Sequence, residues 1–167
     1  MKSLVVAALA ALALAGCATQ QTAMSDADKA KASADAAAKA KAKAAADALE
    51  LAKKRLAGVE SAVYFDFDKF DIKKQYHGTV SAYGNYLSLD KAAKVRIEGN
   101  ADERGTVEYN LALGNRRAEA VSIGLQALGA DGKRIEAVSN GEEKPRNTAK
   151  TEKAYAENRR ADLLIYK

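Results

Sequence analysis

Residues 100–121 read NADERGTVEYNLALGNRRAEAV, and the pattern on either side of them sets the fold class. An apolar run at 95–97 ends in Glu98-Gly99, an acidic polar loop containing Gly105 follows, and a long helical pattern starts after it. Leu111, Gly114, Ala118, Val121, Leu125 and Leu128 recur at three- and four-residue steps, which predicts the buried stripe of a helix. At about 100° per residue, Arg116 points nearly opposite that stripe. Arg117 lies on the stripe's flank, roughly 60° from its centre, with Asn110 on the same flank about two turns earlier. Arg116 is therefore expected in solvent, and Arg117 against the body of the domain beside the loop carrying Asp102. A carboxylate and a guanidinium so placed have two options. They can pair with each other, or they can clamp a zwitterion, Asp102 taking the ammonium and Arg117 the carboxylate.

The elements around this stretch follow from the same patterns. Residues 62–67 alternate, with Val63, Phe65 and Phe67 on one face and Tyr64 and Asp66 on the other, which predicts a strand. Residues 72–89 predict a helix burying Tyr76, Val80, Tyr83 and Leu87, with Asp71 as its N-cap. Strands are expected at 94–99, 134–139 and 159–166, the last with Leu163 and Ile165 facing inward. Helices are expected at 107–128, closed by Gly129, and at 151–158, after a loop holding the only proline, Pro145. Strands alternating with helices give an α/β (α+β) two-layer sandwich, helices on one face of a small mixed sheet.

ADERGT, EYNLALGNRRAEAV and VYFDFDKFDI resemble the peptidoglycan-binding motif of the OmpA-like C-terminal domain, in the version of the peptidoglycan-associated lipoprotein (Pal) family. The SNGEEKPRN loop and the YAENRRADLLIY ending resemble it too, so the similarity covers residues 62–166. It implies a domain that grips the meso-diaminopimelate of the peptidoglycan stem peptide without doing chemistry. Asp102 would accept from the ligand's ammonium and Arg117 would hold its carboxylate. Asn110 would order the loop or add a hydrogen bond, Phe67 and Leu113 would exclude water, and Asp68 would help bind from the end of the first strand. The family topology puts that strand's end, the Asp102 loop and the start of the second helix around one groove. The resemblance also implies partners: peptidoglycan, the propeller protein TolB, and TolA or other OmpA-type proteins of a Tol system that draws the outer membrane inward at division. A wall-anchoring OmpA-like lipoprotein not coupled to Tol is the alternative.

Composition excludes other classes. The 167 residues carry 27 basic and 22 acidic side chains, but the net charge of +5 falls mostly before residue 59. The folded part is nearly neutral, so the high pI gives no footprint for nucleic acid. Asp66, Asp68 and Asp71 do not make an EF-hand, which needs Gly and Glu where Asp71 and His77 stand. His77 has no His or Cys partner nearby and is expected at the surface. Asp66 and Asp68, two apart on a strand, would lie only about 7 Å from each other, without support for glycosidase chemistry. No Ser/His/Asp or Cys/His arrangement is present, so no enzyme, metal or cofactor is expected.

The amino terminus adds an anchor. Residues 1–16 read as a signal peptide, with Lys2 before a short apolar stretch at 4–14. Leu14-Ala15-Gly16-Cys17 resembles a bacterial lipobox, which implies cleavage before the only cysteine, diacylglycerol on its sulfur and an acyl chain on its new amino group. Each buried CH₂ adds about 0.8 kcal/mol, so three chains anchor stably. Ala18 stands where lipoproteins retained in the inner membrane carry Asp in the enterobacterial sorting rule, so the resemblance to lipoproteins implies the outer membrane, facing the periplasm. Residues 17–25 form a flexible tether. Residues 26–58 form a helical spacer, with 15 Ala and 7 Lys among its first 32. At about 1.5 Å per residue such a strut spans on the order of 48 Å. Its only seam, Leu49, Ala52, Leu56 and Val59, is too short for a coiled coil. The OmpA-like domain follows at 59–167.

Overall fold

The computed structural model describes residues 26–167; the signal peptide, Cys17 and the tether lie outside the described residues. Contacts divide the chain after Lys39, the second unit being Ala40–Lys167. Helix α1 (Asp26–Ala57) carries Asp26 and Asp28 in its first turn and Lys54 and Arg55 in its last, each sign favourable to the helix dipole. Residues 26–39 are exposed throughout. Further on, Ala52 is buried, and Leu49, Leu56 and Val59 pack against the same core. The domain itself thus covers the seam, because helix α2 (His77–Leu89) presents Ala82, Asn85 and Leu89 beside Ala48 and Ala52. No described helix is long and apolar enough to cross a membrane.

The remaining elements are β1 (Ala62–Tyr64), β2 (Lys94–Asn100), α3 (Val107–Ala127), β3 (Ile135–Gly141), α4 (Glu152–Asn158) and β4 (Arg160–Tyr166). They form one four-stranded sheet in the order β1-β4-β2-β3. β4 runs antiparallel to both β1 and β2, and β2 runs parallel to β3, the connection between them being α3. Register places Val63 beside Ala161, Ile97 beside Leu163 and Val95 beside Ile165. These apolar positions share the inner face of the sheet, as the two-residue period requires. Val80, Tyr83 and Leu87 of α2 and Ala118, Val121 and Leu125 of α3 cover them, which completes the expected two-layer α+β sandwich.

Three local expectations change. The first strand stops at Tyr64, because Lys69 N–H closes a turn onto Asp66 O (3.2 Å) with Asp68 at φ 55°. Asp66 and Asp68 therefore do not share a strand face. The first helix starts late, after a 3₁₀ turn at Lys74–Tyr76 preceded by an extended, uncapped Lys73, so Asp71 is an exposed loop residue and not an N-cap. On α3 the buried side is Asn110, Leu113, Gly114, Arg117, Ala118, Val121 and Leu125, while Leu111 and Leu128 are exposed. The first turns of α3 run past the end of β2, and there they bury Asn110, Leu113 and Arg117 against loops instead of continuing the apolar stripe.

That placement depends on a close approach of two backbones. A Cβ added at Gly99 in β2 would stand 1.9 Å from Gly114 O, and one at Gly114 would stand 2.7 Å from Gly99 O. Only glycines let α3 sit this low over the sheet. Gly99→Ala should cost about 3 kcal/mol or more through overpacking, lowering Tm by on the order of 10 °C. Gly78→Ala on α2, whose Cβ would meet nothing within 4 Å, should instead hold or raise Tm, since Ala in a helix gains roughly 0.5–1 kcal/mol over Gly. Thermal melts of both variants check the pair; equal effects would remove the close approach from the account.

Candidate binding site

Two loops, the start of α3 and Arg159 between α4 and β4 line a cavity of about 290 Å³. One wall is the turn after β1, tied to the approach of β4 by Phe65 N–H donating to Arg159 O (2.8 Å). A second is the loop at 101–106, tied to β3 by Ala101 N–H donating to Gly141 O (2.7 Å). That loop turns through Gly105 at φ 116° and ends at Thr106, whose hydroxyl caps α3 by accepting from Tyr109 N–H (3.2 Å). All six residues singled out for binding line the cavity: Phe67, Asp68, Asp102, Asn110, Leu113 and Arg117. Arg104, Tyr109 and Arg159 line it as well, and the sequence reading assigned them nothing.

Arg117 is the largest fully buried side chain of the domain. Its Nε–H donates to Lys69 O (2.9 Å), Nη1 to Asn100 O (2.8 Å) and Nη2 to Asp66 O (3.2 Å). One planar fork thereby joins both ends of the turn after β1 to the end of β2. Its cation also lies over the Phe65 ring, 5.3 Å from the centroid. Among the described residues, no carboxylate comes within 4.0 Å of it, so the pairing of Arg117 with Asp102 is not made. Burial, and then repulsion from Arg159, push its pKa down to about 10 against the pull of Asp102 and Asp68, and it stays charged at neutral pH.

Asp102, also buried, is paired elsewhere. Its Oδ1 accepts from the backbone N–H (3.1 Å) and Nε–H (3.0 Å) of Arg104. Its Oδ2 accepts from Arg104 Nη2 (2.7 Å) and Arg159 Nη1 (3.2 Å). Four donors therefore fill the roughly four lone-pair sites of one carboxylate. Burial pushes the Asp102 carboxyl up, but the side-chain and backbone hydrogen bonds of Arg104, with help from Arg159, outweigh it and hold the pKa below the ordinary value. This carboxylate is ionised and fully bonded, so it has no proton to give and no free lone pair. Asp66 is likewise held low, by the hydrogen bond from Lys73 (2.6 Å).

The other side chains finish the walls. Asn110 is buried, and its amide donates to Glu142, so it fastens α3 to the turn after β3. Asp68 accepts from the Tyr109 hydroxyl across the mouth. Leu113 is buried in the wall, whereas Phe67 is 57 % exposed at the rim, its ring 4.3 Å beneath the Arg104 guanidinium. Among the described residues no group of three or more His, Cys, Asp or Glu could hold a metal, and His77 is exposed on α2. Arg104 was within reach of the sequence reading, two residues after Asp102 in the same loop. Arg159 was not, since only the fold brings the approach to β4 against residue 102.

A family model described as the OmpA family matches residues 64–159. The peptidoglycan-associated lipoprotein of Haemophilus influenzae is 52 % identical over 103 residues, covering 62 % of this chain and 67 % of that protein. That of Mesorhizobium japonicum is 33 % identical over 156 residues, covering 93 % and 87 %. Among solved structures, the peptidoglycan-associated lipoprotein from Burkholderia pseudomallei superposes with a TM-score of 0.63 at 46 % identity, over 64 % of this chain and 91 % of that one. The C-terminal domain of Helicobacter pylori MotB shares the fold alone, with a TM-score of 0.59 at 15 % identity over 64 % and 84 %. With half the chain matched by the family model and its relatives this similar, the chain belongs to the OmpA family, in the company of the peptidoglycan-associated lipoproteins.

Proposed function

We propose that this protein is a non-catalytic anchor that holds the diaminopimelate centre of a peptidoglycan stem peptide in the cavity beside Arg117 and Asp102. One observation carries the reading: a buried guanidinium bonded only to neutral carbonyls stands at a cavity that also holds a separate buried carboxylate, itself paired with Arg104 and Arg159. A buried cation without a counter-ion favours an anion at that place, and the carboxylate beyond it already keeps cations on its oxygens, a seat that a ligand ammonium can share. A zwitterionic amino acid headgroup supplies both. Three of the five N–H donors of Arg117 are used by the protein, which leaves two to meet a ligand carboxylate. Asp102 takes the ammonium, Asp68 and Phe67 flank the mouth, and Leu113 and Asn110 keep the wall dry and fixed. The lipid on Cys17 fastens the chain to the outer membrane from the periplasmic side, and the α1 helix bridges toward the wall. Coupling to TolB and the Tol system follows from the family resemblance. Capture of TolB by the purified protein supports it, and failure of capture leaves the uncoupled anchor.

A titration of the protein with a diaminopimelate muropeptide and with its lysine counterpart tests the site. Lysine lacks the second carboxylate. Charged hydrogen bonds are worth about 1.5–3 kcal/mol, so the lysine ligand should bind some tens of fold more weakly, and Asp102→Asn should lose a similar factor for the diaminopimelate ligand. Equal affinity for both ligands would sink the assignment of Arg117.

Arg117→Met should strip three backbone carbonyls of their donor. Unfolding should become easier by roughly 3–5 kcal/mol, seen as a Tm lower by more than 10 °C, on the order of 4 °C or more per kcal/mol. A native-like Tm would mean the fork holds nothing together.

The pH profile has a definite sign. Asp102, its pKa depressed, keeps its charge above the unfolded carboxylate value and loses it only as pH falls through the lower folded value. Affinity should therefore be flat between about pH 5 and pH 8 and fall only below about pH 4. A midpoint near neutrality would assign the binding charge to another group.

A further inference from the structure

We propose that Arg104 occupies the ammonium seat at Asp102 in the unliganded protein, and that a ligand must displace its guanidinium to bind; this rests on the function proposed above. The inference comes from counting bonds. Both oxygens of Asp102 are saturated, two donors on each. An incoming ammonium has to replace one of them. The Arg104 backbone N–H belongs to the loop and stays. Arg159 is 7 % exposed at its side chain, and it also holds Phe65 O (3.2 Å) and Glu152 (2.9 Å), so it has no way out. The Arg104 side chain is the donor that can leave, being 36 % exposed.

The fold also gives that side chain a place to go. Arg104 Nη1 reaches Glu152 (3.1 Å), and its guanidinium lies over the rings of both Phe67 (4.3 Å to the centroid) and Tyr155 (4.5 Å). A swing away from Asp102 can keep Glu152 and one ring while opening the carboxylate. The exchange trades one cation on Asp102 for another, so the carboxylate is never left bare, which would be costly for a group this buried. Arg104 thereby acts as a specificity-determining residue. A neutral ligand offers nothing to replace the guanidinium, and a ligand with a free ammonium offers an equivalent charge.

Binding of the diaminopimelate muropeptide by full-length wild type, Arg104→Met and Arg104→Lys tests this, with Tm as the check on folding. Met keeps the apolar stem against Phe67 and Tyr155 but leaves the seat empty; Lys keeps the charge and loses the fork. The expected order of affinity is Met, then Lys, then wild type, with Met about tenfold tighter, a difference of about 1.4 kcal/mol. The gain should vanish for a muropeptide whose side-chain amine is acetylated, since that ligand cannot take the seat. Should the Met variant melt early, the Lys variant alone decides. Equal or weaker binding by folded variants overturns the exchange while leaving the anchor intact. A gain that persists with the acetylated ligand overturns it as well. No binding by wild type or variants sinks the peptidoglycan reading and the exchange with it.

Discussion

The structure turns on one fully buried guanidinium. Arg117 gives its three nitrogens to Lys69 O, Asn100 O and Asp66 O, carbonyls from two segments that would otherwise have no reason to meet. Burying a charge is expensive, and burial with repulsion from Arg159 holds its pKa below the ordinary guanidinium value. Three charge-assisted hydrogen bonds and the Phe65 ring offset that cost. Lysine could not substitute, because a single ammonium on a flexible stem does not reproduce a fork whose three nitrogens each reach a different carbonyl. Rigidity of this kind is what a recognition site needs: its walls stand in place before any ligand arrives, so binding does not have to order them.

The clasp works because α3 is held low over the sheet. The Gly99–Gly114 contact brings the helix axis close enough for a side chain at 117 to pass beneath the turn after β1. Asn110, about two turns earlier, then reaches Glu142, and Thr106 caps the helix beside the Asp102 loop. Packing at two glycines, burial of one arginine and the position of one loop are thus a single geometric decision. The electrostatics follow from it. Asp102 and Arg117 are both buried near the cavity, yet each is bonded to other groups, which leaves opposite charges separated at one site.

Much of the fold was legible because period and punctuation agreed. Alternation at 62–65, the apolar run at 95–97 and the stripe Ala118, Val121, Leu125 each point to one element and one face, and the sheet confirms them. The errors share a cause. Leu111 was expected inside, because hydrophobicity ranks Leu above Arg for burial, while Arg117, expected against the body of the domain beside the Asp102 loop, does lie there but deeper than a flank position. In the structure Leu111 is 50 % exposed and Arg117 is 0 % exposed, since hydrogen-bonding demand from loop carbonyls outweighs apolarity there. No local pattern encodes that demand. The same holds for Arg159, which meets Asp102 from 57 residues away, and for the α1 seam, whose partner proved to be the domain's own core. The six residues that the motifs singled out meet at one cavity, but which charge pairs with which was set by three-dimensional proximity alone.

Hydrogen exchange at the Arg117 Nε–H, followed in proton–nitrogen spectra of the ligand-free protein at neutral pH, probes the clasp most directly. An arginine held by backbone carbonyls in a dry interior should keep that proton about as long as the slowest core amides of α3, exchanging only when the domain opens. Loss within the dead time of the experiment, as for an arginine in water, would mean that the fork is open to solvent and that the walls of the cavity are not built on it.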